Sequence, residues 1–252
     1  VPNTNLIVVE RPEEVAERAA NYVEALIADD PQAVLVLPTG RTPIDLYREL
    51  HRRFQAGRID FAAVRTFNLD EWVGLGATDP ASYASFMIEH LYSRVNLRAE
   101  NCHIPDGMAE DLPAECRCYE EAIRSSGGAD LAILGIGHNG HIGFNEPGTS
   151  FATRTHVAQV RPRTKDANAY SFDGRLVPDW AITMGIATIM ESREILLLAT
   201  GSDKAEILAQ AITGPVTEDV PASILRRHPR VTVLADSAAG RLIKSLGDIL
   251  RA

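Results

Sequence analysis

Short runs of β-branched and aliphatic residues recur along this chain, and most are followed by a longer stretch whose apolar residues return at helical spacing. That alternation limits the fold more than any other feature. The runs Leu6–Val9, Ala33–Leu37, Val64–Leu69, Asp130–Leu134, Glu194–Ala199 and Val231–Ala235 are mostly apolar on both faces, as strands are when helices cover a sheet on each side. Glu13–Ala28 brings Val15, Ala19, Val23 and Leu26–Ile27 to one face. Pro43–Phe54, Tyr83–Arg94, Pro113–Ser125, Lys204–Ile212 and Ser237–Leu250 also read as helices, with Pro43 and Pro113 at the first helical position. The expected fold is α/β: a Rossmann-like, doubly wound, mostly parallel sheet with helices on both faces, forming one domain over residues 1–252. Residues 148–179 are the least regular stretch and carry Arg154, Arg161, Arg163, Lys165 and Gly174. They read either as a lid or as a surface excursion with solvated charges.

With 252 residues, 45% hydrophobic and 23% charged, the chain can bury a sizeable core. A formal charge of −9 argues against nucleic acid as a partner, although a small phosphorylated ligand can still find a local cationic site. No apolar stretch approaches a bilayer span, so no membrane partner is expected. The opening residues VPNTNLIVVERPEEV lack the pattern of a signal peptide. Three cysteines without framework spacing, Cys102, Cys116 and Cys118, suggest reduced thiols and a cytoplasmic setting. Homo-oligomerisation is left open by the sequence.

Three motifs carry chemistry. In LPTGRTP (Leu37–Pro43), Thr42 can cap a helix starting at Pro43. The N–H groups of Gly40, Arg41 and Thr42 then form an anion site beside the helix dipole, with Arg41 adding full charge. A plain capped turn is the alternative use of the same residues. In FNLDEWVGL (Phe67–Leu75), Asp70 and Glu71 end an apolar strand, where neighbours such as Phe67, Leu69 and Trp72 can raise a carboxylate toward the range of a useful base. One of the two acids is expected to be structural, and spacing does not say which.

The third motif is DLAILGIGHNGHIGFNEPG (Asp130–Gly148). It delivers His138, Asn139, His141, Asn145 and Glu146 to one sheet edge, and Asn139 and Glu146 can orient the His141 imidazole. Gly135, Gly137 and Gly140 match the dinucleotide fingerprint, but Pro147 and Gly148 replace the helix that should follow, and Thr155–Val160 offers no acidic residue. His138, His141 and Glu146 lack metal-site spacing, so no metal is expected. Lys204, after the run EILLLAT, can add a second cation to the anion site.

In combination, LPTGRTP, FNLDEWVGL, SYASFM, ECRCYEEAI, LGIGHNGHIGFNEPG, VPDWAITMGIATI and GSDKA resemble the glucosamine-6-phosphate deaminase family, within the wider glucosamine/galactosamine-6-phosphate isomerase and 6-phosphogluconolactonase superfamily. The FN-x-DE and GHI-x-FNEPG segments are similar to the deaminase branch rather than the lactonases. The resemblance implies that an amino-sugar phosphate, glucosamine 6-phosphate, reacts with water to give fructose 6-phosphate and ammonia, in amino-sugar metabolism. It places the enzyme among isomerases and also among hydrolases. By the same resemblance, Asp70 takes the C2 proton and returns it at C1. His141 assists ring opening with Glu146 orienting it, and Asn139 stands where many members have aspartate. Thr39, Gly40, Arg41, Thr42 and Lys204 hold the phosphate. No cofactor, organic or metal, is implied. Members often have a small residue at Arg41 and an arginine near Tyr170, so Arg41 is expected to replace that arginine. A galactosamine-6-phosphate enzyme, a lactonase and a non-catalytic sugar-phosphate sensor are the alternatives.

Overall fold

The computed structural model describes residues 4–243. In chain order the elements are β1 (Thr4–Val9), α1 (Pro12–Asp29), β2 (Val34–Leu37), α2 (Thr42–Gln55), β3 (Arg65–Asn68), β4 (Asp70–Trp72), α3 (Tyr83–Met87), β5 (Cys102–His103), α4 (Leu112–Ser125), β6 (Leu131–Gly135), β7 (His156–Gln159), α5 (Pro162–Asn168), β8 (Trp180–Thr183), α6 (Ile186–Met190), β9 (Glu194–Ala199), α7 (Ala205–Thr213) and β10 (Val231–Asp236). The helix expected over Tyr83–Arg94 is α3 continued by a π-helical turn, Ile88–Tyr92. The one expected over Lys204–Ile212 starts as a 3-10 turn, Ser202–Lys204, before α7. Of the helix expected over Ser237–Leu250, residues 244–250 lie outside the described residues.

Seven strands form one parallel sheet in the order β1-β10-β9-β6-β2-β3-β5. Successive side chains of a strand point to opposite faces, and both faces are covered. Val34 and Val36 of β2, with Ala132 and Leu134 of β6, pack with α4, α6 and α7. The alternate residues Leu35, Leu37, Leu131 and Ile133 pack with α1 and α2. This two-sided burial is what the uninterrupted apolar runs encode. It gives the doubly wound α/β architecture expected from the sequence.

A second, antiparallel sheet, β4-β8-β7, was not expected. Its strands are short, and β4 (DEW) and β7 (HVAQ) carry polar residues, so neither shows a strand-like apolar run. Tertiary packing makes them strands: Trp72, Phe144, Phe172 and Ala181 bury each other in a small separate core. This sheet turns the chain sharply after β3 and anchors residues 156–183 beside the carboxyl ends of the main sheet. Among the described residues no helix is long and apolar enough to cross a membrane.

Candidate active site

In the main sheet the chain leads from β2 to β3 on one side and from β6 to β9 on the other. Parallel sheets leave a crevice at the strands' carboxyl ends where the winding reverses in this way. A cavity of about 490 Å³ lies there. Thr39, Gly40, Arg41 and Thr42 after β2, Asp70 after β3, Asn139 and His141 after β6, and Lys204 after β9 all line it. Glu146 stands behind His141. The structure thus brings the residues singled out in the sequence to one place.

Asp70 and Glu71 take different roles because adjacent strand residues face opposite ways. Glu71 is turned inward and accepts backbone N–H groups from Trp72 at 2.7 Å, Tyr83 at 2.9 Å and Ala84 at 2.8 Å. It fastens β4 to the start of α3. Burial outweighs these hydrogen bonds and raises its carboxyl to about 7. Asp70 lines the cavity, and burial, with Glu71 adding like-charge repulsion, pushes its carboxyl well above the usual aspartate range. Gly143, at φ +57°, keeps the opposing wall clear, since a Cβ there would meet Thr183 Oγ1 at 2.8 Å and Asp70 Oδ2 at 3.4 Å.

The loop after β6 is shaped around His141. A Cβ on Gly137 would lie 2.2 Å from the imidazole, so the ring rests directly on the Gly137 backbone. This close approach is one use of the glycine pattern, and no helix follows Gly140 to support a dinucleotide. His141 Nδ1 lies 3.6 Å from Glu146 Oε2. The Asn139 hydrogen bonds do not go to the ring. Asn139 Nδ2 donates to Glu146 Oε2 at 2.7 Å, and its Oδ1 accepts the His141 backbone N–H at 3.2 Å. It therefore positions the carboxylate and the loop, where the sequence suggested that it orients the imidazole itself.

Burial tends to raise the Glu146 carboxyl. The attraction of His141 and the hydrogen bonds from Thr164 and Asn139 outweigh it and hold the group at about 2. Asn145 is buried and donates to the Ile142 and Met184 carbonyls at 2.8 Å, a structural role. His138 sits at the rim, 3.4 Å from Asp203. Replacing Gly137 with alanine is expected to displace the imidazole and lower kcat by about 100-fold, with little change in melting temperature, as paired kinetic and thermal measurements would show.

At the other end of the cavity, Arg41 already has helical angles (φ −74°, ψ −43°), and α2 begins at Thr42 without a side-chain cap. The expected threonine cap is thus corrected. The chain enters the helix one residue earlier, after Gly40 turns at φ +99°. Among the described residues the Gly40, Arg41 and Thr42 N–H groups have no hydrogen-bond partner, and they sit at a helix N-terminus that favours anions. Lys204, with its side chain 16% exposed, lies 3.9 Å from Asp203.

Residues 148–179 supply parts of the site that sequence reasoning did not find. Thr164 Oγ1 of α5 donates to Glu146 Oε1 at 2.6 Å, and Arg163, Asn168 and Tyr170 line the cavity. Tyr83, also missed, lines it and lies 3.5 Å from Asn168 through its hydroxyl. Tyr83 belongs to the SYASFM motif, but at its place in an expected helix nothing local separates it from a packing residue. Nothing local in the sequence marks Thr164. Among the described residues no group of three or more His, Cys, Asp or Glu is placed to hold a metal ion.

Over residues 10–234 the chain matches the family described as glucosamine-6-phosphate isomerases/6-phosphogluconolactonase. It is 49% identical over 243 residues to glucosamine-6-phosphate deaminase 2 of Bacillus subtilis, covering 95% of this chain and 98% of that protein. Among solved structures it is similar to a monomeric glucosamine-6-phosphate deaminase, with a TM-score of 0.91 and 44% identity over 94% of this chain and 99% of the other. A 6-phosphogluconolactonase from Thermotoga maritima has a TM-score of 0.75 at 22% identity, over 92% and 99% of the two chains, and shares the fold. One expectation is corrected here. The relatives are named deaminases within a family described by isomerases, so the label hydrolase does not stand.

Proposed function

The chain belongs to the glucosamine-6-phosphate isomerase/6-phosphogluconolactonase family, and from that premise we propose that it converts glucosamine 6-phosphate into fructose 6-phosphate and ammonia. The observation that carries this reading is the shared cavity. A buried, cavity-facing Asp70, a His141 backed by Glu146 and an anion-binding helix start all border it. A six-carbon sugar phosphate has its reacting carbons and its charged tail at opposite ends, matching this division.

His141 gives a proton to the ring oxygen as the C1–O5 bond breaks and takes the O1 proton as the aldehyde forms, and Glu146 holds the imidazole on the Gly137 backbone. Asp70 removes the C2 proton while the imidazolium gives its proton to O1 and C1 becomes enolic, and Asp70 then returns the proton to C1. The C2 iminium that results is released by water as ketone and ammonia. A single base serves two adjacent carbons, and Asp70 suits this because burial raises its proton affinity toward the working pH. The Gly40–Thr42 amides, Thr39, Arg41 and Lys204 hold the phosphate and supply orientation. Arg41 fills the role that a lid arginine has in the resemblance. No step draws on a metal or an organic cofactor.

The chain works as one α/β unit in which residues 148–179 act as the lid, since α5 both walls the cavity and holds Glu146 through Thr164. The three cysteines are unpaired and the substrate is charged, which suits the cytoplasm. Ammonia release with glucosamine 6-phosphate and with its galactosamine epimer tests the proposal. Release with a higher kcat/KM for the glucosamine compound is expected. No release with either, or 6-phosphogluconolactone hydrolysis instead, would overturn it.

A further inference from the structure

The anion end of the cavity has a second wall. Across from the Gly40–Thr42 amides, α5 and the 3-10 turn after it, Ala169–Phe172, present Arg163 and Tyr170 to the cavity. The Arg41 guanidinium lies over the Tyr170 ring, 4.2 Å from its centroid, within the range of a cation–π contact. Among the described residues neither Arg41 nor Arg163 has a carboxylate partner, although arginines elsewhere are paired, as Arg175 is with Asp79 and Arg193 with Asp130. Arg163 faces the same space as Lys204 and His138 closely enough to oppose the charged form of both, adding to burial, the larger effect at each. Three cations therefore border one mouth. The acids there are Asp203, beside His138 and Lys204, and Asp45, engaged by Arg48. Like charges gathered in this way are relieved by a dianion placed between them.

We propose that α5 and the turn after it complete the phosphate site: Arg163 is a phosphate-binding residue, and Tyr170 is a positioning residue that holds Arg41 over the same phosphate. This rests on the sugar-phosphate reading above but goes beyond it, because it makes the 148–179 segment part of substrate recognition. Tyr170 acts through Arg41. It limits the rotamers of a long side chain that is otherwise free in solvent, so less entropy is lost when the phosphate arrives.

The test is inorganic phosphate binding to the full chain by calorimetry, alongside KM and kcat, in Arg163→Gln, Arg41→Ala, Tyr170→Ala, Tyr170→Phe and the Arg41→Ala/Tyr170→Ala double variant. Losing one charged hydrogen-bonding partner should weaken phosphate binding about tenfold and raise KM by a similar factor, with kcat at saturation falling much less. Tyr170→Ala should weaken phosphate less than Arg41→Ala does and add nothing in the double variant, while Tyr170→Phe, which keeps the ring, restores binding. Unchanged phosphate affinity in Arg163→Gln would overturn the Arg163 assignment. Multiplying effects in the double variant, or failure of Tyr170→Phe to rescue, would overturn the Tyr170 assignment. If the wild type binds phosphate as described yet releases no ammonia, the proposed reaction fails and this inference stands.

Discussion

Asp70→Asn should lower kcat for ammonia release by about 10³-fold or more, leave KM within a few-fold, and raise the melting temperature at neutral pH. The loss follows from removing the carboxyl that, alone among the described residues, lines the reacting end of the cavity; an amide there can neither take nor return a proton. The gain in stability follows from the sign of the shift. Burial holds the folded-state carboxyl above its unfolded value of about 3.9, so ionisation costs the fold stability as pH rises from that value toward the folded one. Asparagine removes that cost, so the variant should gain most in melts near pH 8 and least near pH 3. Wild-type kcat in this variant would remove Asp70 from the mechanism. An unchanged or lower melting temperature at pH 8 would mean that the carboxylate is better solvated by its site than its burial indicates.

Glu146→Gln should also cost about 10³-fold in kcat, but with the opposite effect on stability. Its carboxyl is held down at about 2 from an ordinary 4.5. A depressed carboxyl contributes stability that is fully present above its unfolded value and is lost as pH falls through the folded one. The glutamine variant should therefore melt lower than wild type at pH 7, and the two should converge between about pH 4.5 and 2. Thr164 and Asn139 both donate to the carboxylate. A glutamine has one acceptor oxygen for these two donors and turns its amide toward one of them or toward His141, so the imidazole loses its anchor. Equal kcat would show that His141 is held by the Gly137 backbone alone.

Much of this was legible in the sequence because the main sheet is buried on both faces. A strand such as VLVL needs no pairing partner to be recognised, and each chemistry-bearing motif follows such a strand. The division of labour between Asp70 and Glu71 was not legible. It depends on β4 pairing with β8, a contact between residues more than a hundred apart. Thr164 was hidden for the same reason: a threonine in PRTKDAN has no local signature, and its meaning comes from the Glu146 carboxylate opposite. The Asn139 contact was half legible. Its neighbourhood was plain from GHNGHIGFNEPG, but whether its amide meets the imidazole or the glutamate depends on how the loop folds over Gly140. Arg163 was visible only as one of several charges on an irregular segment, and the second wall of the cavity is what singles it out.

The central claim is that one buried carboxyl moves a proton between neighbouring carbons inside a cavity open to water. The most direct measurement is turnover of glucosamine 6-phosphate in deuterium oxide, with ammonia counted and the fructose 6-phosphate analysed for deuterium at C1. Ammonia release with solvent deuterium appearing at C1 is predicted, since a proton resting on Asp70 at the cavity wall can exchange before it is returned. Deuterium divided between both C1 positions, which one base on one face cannot give, or no ammonia at all, would contradict the claim.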